Sequence, residues 1–285
     1  MIYKNAQKWS NTKKKNVLLF GMSGLGKTHL SNILRKSGEW FHYSVDYRIG
    51  THYMGEHIVD NVKLKAMSNH FLAKLLKTDS IYIRSNITFD NLAPLSTYLG
   101  QPGASGKGGL SFKEYVKRQN QHLKAEQAAM IDTIRFIDKA QNLYNYPNFV
   151  CDSSGSLCEV VNPEDPDDLI LKELSKNLLL VWIEGDKNHS KDLKIRFKTD
   201  PKPMYYNPIL LNDAWKNFKS INACQDHEVD PSAFAIYAYD KAISARQPKY
   251  RLICENWGIS ITADQVSKIT CAQDFDDLIA TALER

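Results

Sequence analysis

A chain of 285 residues, 43% hydrophobic and 24% charged, has the composition of an ordinary globular protein, which excludes global disorder and fibrous structure. It is long enough to bury the core of one large α/β domain without disulfide bonds. Its formal net charge of +5 is compatible with an anionic ligand.

The N-terminal part of the chain predicts a strand, a glycine-rich loop and a helix in direct succession. Residues 17–20 are a short apolar run, the loop follows at once, and residues 28–35 have a helical pattern that Gly38 ends. A second run of aromatic and β-branched residues, 40–45, ends at Asp46. Both runs have the length of single strands, and a carboxylate or a glycine follows each.

Positive charge is concentrated around this first strand and loop. The first 50 residues contain nine Lys and Arg against Glu39 and Asp46 alone. Such an excess fits a polyanionic ligand, and nucleic acid is as good a polyanion as a nucleotide. The excess of positive charge therefore predicts that the ligand is negatively charged, and it leaves the chemical class of the ligand open.

The later apolar runs complete a predicted sheet. Residues 148–151 end at Asp152, and residues 178–183 are almost continuously apolar, as expected of a strand covered on both faces. Residues 257–269 indicate a short strand or turn followed by a helix. Strands separated by helical stretches predict an α/β fold of three layers, α/β/α, with a mainly parallel sheet and helical insertions.

The first insertion occupies residues 50–145. It contains a helical pattern over 62–76, a short strand pattern over 80–87, a glycine-rich turn, and a long helix over 111–143. This is too much structure for a loop, so we expect a helical subdomain. The charged run 117–127 in the long helix is interpreted as a solvated face.

A second, smaller helical insertion is predicted over residues 204–245. Pro231 stands where a helix begins, a position that suits its fixed φ and its missing N–H. With both insertions included, residues 1–285 are predicted to form a single domain.

The loop after the first strand matches GxxxxGK[ST], with a strand before it and a helix after it. Its backbone N–H groups and the helix N-terminus can surround a β-phosphate. Lys27 would bridge the β and γ oxygens, the Thr28 hydroxyl would bind Mg²⁺, and His29 follows in the first turn of the helix. The phosphate loop comprises Gly21, Met22, Ser23, Gly24, Leu25, Gly26, Lys27 and Thr28.

Asp46 and Arg48 are candidate residues for the acceptor side of such a site. Ligands of parallel α/β sheets gather at the carboxyl ends of strands, where Asp46 ends the second run. Its carboxylate could accept a proton from an attacking hydroxyl, and Arg48 could orient an anionic acceptor. The alternative for this pair is a salt bridge at the strand exit.

Asp152 stands at the end of the third apolar run and is a candidate Mg²⁺ ligand. Gly155, three residues later, would allow the backbone to approach a ligand closely. The same residues match DxxG, a GTPase switch signature, although no [NT]KxD segment that reads guanine follows. A motor ATPase that uses Glu184 as its water-activating base is a further alternative.

The stretch "VWIEGDKNHSKDLKIRFKTDPKPMYY" resembles the fourth strand, helix and lid of shikimate and gluconate kinases, in the nucleoside-monophosphate-kinase-like group. The resemblance covers residues 16–50, 146–203 and about 246–285. It implies ATP and Mg²⁺ as cofactors and Asp46 as the acceptor-side aspartate. Arg196 and Lys202 stand at the lid positions. Arg196 is a candidate for both catalysis and nucleotide binding, and Lys202 is a candidate for nucleotide binding.

Two departures from those kinases bear on the acceptor. Lys202 stands where the lid usually has an arginine before proline, and lysine lacks the planar fork of arginine. The first insertion is also far larger than in shikimate kinase. Within it, Arg84 and Lys107 are candidates to bind a second anion, or else ordinary surface charges.

The sequence thus predicts an ATP- and Mg²⁺-dependent phosphotransferase with a small hydroxyl-bearing or phosphorylated acceptor. The alternative is a nucleotide-binding ATPase module whose insertion docks a protein or nucleic acid. A kinase of RNA or DNA ends is less favoured, and the oligomeric state is not predicted. Five cysteines without a CxxC pair, and no membrane span or signal segment, predict a reduced cytoplasmic protein.

Overall fold

A five-stranded sheet forms the centre of the computed structural model, and all of its paired strands run parallel. The structure describes residues 2–284, apart from the side chain of Lys187. The strand order is β2-β3-β1-β4-β5. This confirms the predicted parallel α/β fold. The strands are β1 (Asn16–Phe20), β2 (Trp40–Ser44), β3 (Asn148–Asp152), β4 (Leu179–Glu184) and β5 (Gly258–Thr262).

Helices account for most of the remaining chain. In chain order they are α1 (Ala6–Asn11), α2 (Lys27–Lys36), α3 (Val45–Arg48), α4 (Gly55–Ala66), α5 (His70–Lys77), α6 (Ala93–Leu99), α7 (Phe112–Asn142), α8 (Leu157–Val160), α9 (Leu169–Asn177), α10 (Lys187–Thr199), α11 (Pro208–Asn222), α12 (Pro231–Trp257), α13 (Ala263–Ser267) and α14 (Ala272–Ala282). A π-helical segment, Ile49–Tyr53, follows α3, and a 3₁₀ turn, Ser105–Lys107, precedes α7. No helix in the described part of the chain is long and apolar enough to span a membrane.

Helices cover the sheet on both faces, as alternate side chains of β2 show. Phe41 and Tyr43 pack on Phe136 of α7, with ring centroids 6.4 and 4.8 Å apart. Trp40, one residue out of phase, packs on Phe275 of α14 at 5.7 Å. Successive side chains of a strand point to opposite faces, so these helices lie on opposite sides of the sheet.

The N-terminal half of the first insertion differs from its predicted pattern. The helix predicted over 62–76 is two helices, α4 and α5, and the strand predicted over 80–87 is wrong. Among the described residues, no strand pairs with residues 80–87. An extended segment with no neighbouring strand cannot satisfy its backbone N–H and C=O groups with sheet hydrogen bonds. Ile87 is its buried residue and packs against Gly50.

The long helix α7 agrees with its prediction to within one residue at each end, but its charged run is not a solvated face. Arg118, Gln119, His122 and Glu126 are buried among the elements that α7 contacts. Because three- and four-residue spacings place these side chains on one helix face, the run is a buried polar stripe. It becomes part of the site described below.

The second helical region joins the sheet rather than ending at residue 245. Its helix α12 begins at Pro231, as predicted, and continues to Trp257, directly before β5. Helices α11 and α12 enclose a second small core around Trp215 and Phe234, whose rings meet edge to face at 4.9 Å. The C-terminal half of α12 packs on β4 and β5, so one helix connects the two cores.

Candidate functional site

The phosphate loop connects the end of β1 to the start of α2. Its turns need glycines at positions where any other residue would be strained. Gly21 and Gly24 have φ of 138° and 83°, in the region that favours glycine. A Cβ at Gly21 would lie 2.7 Å from the carbonyl oxygen of Ile183, next to β1 in the sheet. The sequence match therefore has the backbone geometry that it requires.

Lys27 points back into the loop. Its Nζ donates to the carbonyl oxygens of Gly21 and Met22, at 2.9 and 3.0 Å, and the side chain is buried. Burial lowers the pKa of Lys27, while the carboxylates of Asp152 and Asp46 oppose that shift. An anion entering the loop would meet an ammonium group that is already oriented by the loop.

Thr28 and Asp152 join the start of α2 to the end of β3. The Thr28 hydroxyl donates to Oδ2 of Asp152 at 2.7 Å, and Asp152 is buried at the end of β3. A hydroxyl and a carboxylate are the hard oxygen donors that Mg²⁺ takes together with phosphates and water. These two oxygens, 2.7 Å apart, are the candidate metal ligands beside the loop. Among the described residues no group of three or more His, Cys, Asp and Glu could hold a metal.

Asp46 lies close enough to Lys27 and Asp152 for their charges to affect its pKa. It lies in the first turn of α3, directly after β2, where the Ser44 hydroxyl caps the helix by accepting from the N–H of Tyr47. Burial raises the pKa of Asp46 to about 6, the nearby Asp152 carboxylate adds to the rise, and Lys27 opposes it. Such a carboxyl group can change its protonation state near neutral pH.

These side chains line one cavity of about 310 Å³, the phosphate-loop cavity. The sequence predicted that strand ends would bring Lys27, Thr28, Asp46 and Asp152 together, and the structure places all four here. His29, Gly155 and much of the phosphate loop are there too. The full lining is Ser23, Gly24, Gly26, Lys27, Thr28, His29, Asp46, Asp152, Ser153 and Gly155.

Gly155 belongs to a serine loop, residues 153–156, that packs directly on the phosphate loop. A Cβ at Gly155 would lie 2.9 Å from Oγ and 3.1 Å from the backbone nitrogen of Ser23. The carbonyl oxygen of Gly155 accepts from the Tyr250 hydroxyl at 2.6 Å and from Arg246 at 3.1 Å, both on α12. Helix α12 therefore fixes the serine loop against the phosphate loop.

A buried carboxyl group, which the sequence analysis missed, supports the serine loop from beneath. Glu126 of α7 is fully buried and accepts from the hydroxyls of Ser154 and Ser156, the latter at 2.8 Å. Burial raises the pKa of Glu126 to about 8, against the two hydroxyl donors, and Asp46 adds to the rise. His122, one turn earlier, lies 3.6 Å from this carboxyl, and burial lowers its pKa to about 4.

A second missed group, Arg246, fixes α12 to the same region. It is buried and pairs with Glu159 of α8 at 2.8 Å, and it donates to the carbonyl oxygen of Tyr205 at 2.9 Å. A buried ion pair of this kind orients its surroundings more than it stabilises them. The only sequence signal for Glu126 was its helical spacing from the apolar residues Ala129 and Met130, which share the buried face of α7.

The predicted anion-binding role of Arg48 does not agree with its position. Its guanidinium pairs with Asp132 of α7, with Nη2 2.6 Å and Nε 2.8 Å from Oδ2, and it is not among the residues that line the phosphate-loop cavity. The Tyr53 hydroxyl donates to the same oxygen at 2.8 Å. Arg48 thus anchors the π-helical segment to α7, which is the salt-bridge alternative with a different partner.

The remaining candidates lie at different distances from the phosphate loop. Arg196 of α10 approaches it, since its Nη2 would be 3.4 Å from a Cβ built on Gly24. Lys202 is exposed and lies 3.3 Å from Asp200, away from the cavity lining. Arg84 lines a different cavity, and Glu184 does not line the phosphate-loop cavity.

Comparisons with known proteins give likenesses among solved structures alone. The sequence matches no protein-family model. It matches no curated protein either. Among solved structures, shikimate kinase from Bacteroides thetaiotaomicron is similar at 14% identity and a TM-score of 0.40, over 95% of this chain and 99% of that chain.

Proposed function

We propose that this protein is an ATP- and Mg²⁺-dependent phosphotransferase that moves the γ-phosphoryl group to a hydroxyl-bearing small molecule. The observation that carries the proposal is that Asp46 lines the same cavity as Lys27, Thr28 and Asp152. A phosphate site alone would serve any nucleotide-binding protein. A carboxylate in the same cavity adds a general base, which can take the proton of an attacking alcohol.

Each residue has a distinct part in this mechanism. When bound, ATP supplies the phosphoryl group and Mg²⁺ neutralises the charge of its oxygens. The loop amides and Lys27 hold the phosphates, and Thr28 and Asp152 would hold the metal. Catalysis then comes mainly from positioning and charge neutralisation, as in other phosphoryl transfers.

Asp46 accepts the proton of the acceptor hydroxyl. Its pKa of about 6 lies below neutral pH, so that the carboxylate form predominates, yet is high enough for proton transfer to be effective. Arg196, beside Gly24, is placed to neutralise phosphate charge from the lid side. Lys202 would reach the site only through movement of the segment that follows α10.

A label-transfer experiment with Lys27→Ala tests this function. Wild-type protein with γ-labelled ATP and a cell extract as acceptor pool should give a labelled small molecule, and Lys27→Ala should give none while keeping its circular dichroism spectrum. Lys36→Ala, an exposed lysine at the far end of α2, is the matched control and should transfer normally. Full transfer by Lys27→Ala would contradict the mechanism.

One observation favours the second function, a nucleotide-binding module that docks a partner. Leu64 on α4 and Phe71 on α5 are 75% and 68% exposed, an apolar surface that a protein partner could cover. In that case the label would appear as free phosphate, and its release would rise when the partner is added. The nucleic-acid alternative predicts a steep salt dependence of oligonucleotide binding instead.

A further inference from the structure

The described residues also form a second and larger cavity, of about 1070 Å³. We name it the insertion cavity, lined by residues within 47–63 and by residues 84–87. One wall is the π-helical segment Ile49–Tyr53, a rare backbone form that is found mostly at functional sites. The volume is at the upper end of the range for small-molecule sites, about 300 to 1,000 Å³.

Two consecutive residues of α3 each line one of the two cavities. Asp46 lines the phosphate-loop cavity and Tyr47 lines the insertion cavity. Phe89 stands behind both, because its ring lies 4.9 Å from that of Tyr47 and 4.7 Å from that of His42, whose Nε2 is 3.8 Å from Asp152. A molecule in the insertion cavity would therefore contact the residue that directly follows Asp46 in α3.

The charges of the insertion cavity are balanced. Its two cationic side chains, Lys63 and Arg84, face two carboxylates, Glu56 and Asp60. Lys63 lies 3.4 Å from Asp60, which neutralises it further. A site for an anionic acceptor would require a surplus of cations, since an anion cannot shed its hydration without compensation.

The arginine that could have supplied that surplus is already paired. Arg48 is two residues from Asp46, but Asp132 holds its guanidinium at 2.6 Å. Both side chains of this pair are largely buried, so releasing Arg48 would take from the Asp132 carboxylate the closer of its two arginine partners and leave it with Arg135 and the Tyr53 hydroxyl. Arg48 is therefore not available to bind an anionic group of the acceptor.

The other lining groups suit hydroxyl groups and rings. Tyr47, Tyr53, His52 and His57 present ring faces or edges, and Asn86 offers both a donor and an acceptor. Hydroxyl groups also donate and accept, and they bind well to carboxylates and amides together. Flat amphipathic rings pack on the apolar faces of a saturated hydroxylated ring while their polar edges stay hydrated.

We propose that the acceptor is a hydroxyl-rich ring compound without net charge, of the glycoside class, and that it binds in the insertion cavity. This assignment rests on the proposed phosphotransferase function. In the reaction, an acceptor hydroxyl oxygen bonds to the γ-phosphorus, the bond from that phosphorus to the bridging oxygen breaks, ADP leaves, and the hydroxyl proton passes to Asp46.

Fractionating the acceptor pool by charge tests the proposal. A small-molecule extract of the source organism is separated on anion and cation exchangers into anionic, cationic and uncharged fractions, and each is incubated with the protein and γ-labelled ATP. We expect label in a product from the uncharged fraction. Label from the anionic or cationic fraction would overturn the acceptor class and keep the transferase. Free phosphate alone, from every fraction, would overturn the transferase itself.

Two variants connect the active fraction with the cavity. Glu56→Gln replaces one charged acceptor oxygen by an amide NH₂, and Asn86→Ala removes an amide, each from an exposed part of the lining. Each should raise the amount of that fraction needed for half-maximal transfer by about tenfold. Glu164→Gln, an exposed glutamate outside the lining, is the matched control. An unchanged requirement in both variants would place the acceptor elsewhere.

Discussion

The hydroxyl of Thr28 lies 2.7 Å from Oδ2 of Asp152 and joins the start of α2 to the end of β3. In sequence the two residues are 124 positions apart, and the neighbouring strands β1 and β3 bring them together. The pair supplies both candidate metal ligands of the chain. Its geometry therefore determines where a metal would meet the phosphates.

Replacing Thr28 by valine, which has nearly the same shape, removes the hydroxyl alone. We expect the affinity for ATP in the presence of Mg²⁺ to fall by about tenfold, because one charge-assisted oxygen contact is lost. Affinity for ATP without Mg²⁺ should change little. Isothermal titration with and without Mg²⁺ separates the two, and Thr281→Val on α14 is the control. An equal loss in both titrations would argue against a metal role for Thr28.

Replacing Glu126 by glutamine should remove a pH dependence of stability. The pKa of Glu126 is raised to about 8 in the folded protein, so this carboxyl retains a proton that the unfolded chain releases near its ordinary pKa of 4.5. Its contribution to stability is therefore complete at low pH and is lost as pH rises through about 8. Glutamine imitates the protonated form and keeps a partner for each serine hydroxyl.

Denaturant titrations across this pH range measure the effect. Between about pH 6.5 and pH 8.5 the free energy of unfolding of the wild type should fall by about 2 kcal/mol, and that of Glu126→Gln should stay nearly constant. The pKa of Asp46 is raised to about 6 and that of His122 is lowered to about 4. Both groups therefore change the free energy of unfolding mainly below this pH range. Parallel pH profiles of the two proteins would contradict the assignment.

Much of the site could be predicted from sequence because it depends on strand ends. A parallel sheet brings the residues after its strands to one edge, so Lys27, Thr28, Asp46 and Asp152 could be placed from three apolar runs and the GxxxxGK[ST] motif. The strand bounds are accurate for the same reason, since β1, β3 and β4 are buried on both faces and leave an unbroken apolar signal.

The support beneath the site could not be predicted in this way. Glu126 and Arg246 come from helices far along the chain, and charged residues on a helix are usually solvated. Only the fold shows that α7 and α12 pack against the serine loop. The ion pair of Arg48 could not be predicted for the same reason, because its partner Asp132 is 84 positions away and no local sequence pattern indicates the contact.

Adding a methyl group at Gly155 should disturb nucleotide binding from the neighbouring loop. The new Cβ would lie 2.9 Å from Oγ of Ser23 and would push the phosphate loop out of position. We expect Gly155→Ala to lower ATP affinity by about tenfold. In Gly106→Ala the new Cβ meets nothing within 4 Å, which makes it the matched control. If ATP affinity is the same in both variants, the serine loop does not hold the phosphate loop in place.

The central claim is that Asp46 and the phosphate loop act on the two sides of one reaction, and Asp46→Asn tests it most directly. Asparagine keeps the size of the side chain and cannot accept the acceptor's proton. The measurement is the rate of label transfer from γ-labelled ATP, together with the dissociation constant for ATP. The account predicts a fall in transfer of about 10² to 10⁴-fold with ATP affinity within a few fold of wild type. Transfer at the wild-type rate would contradict it.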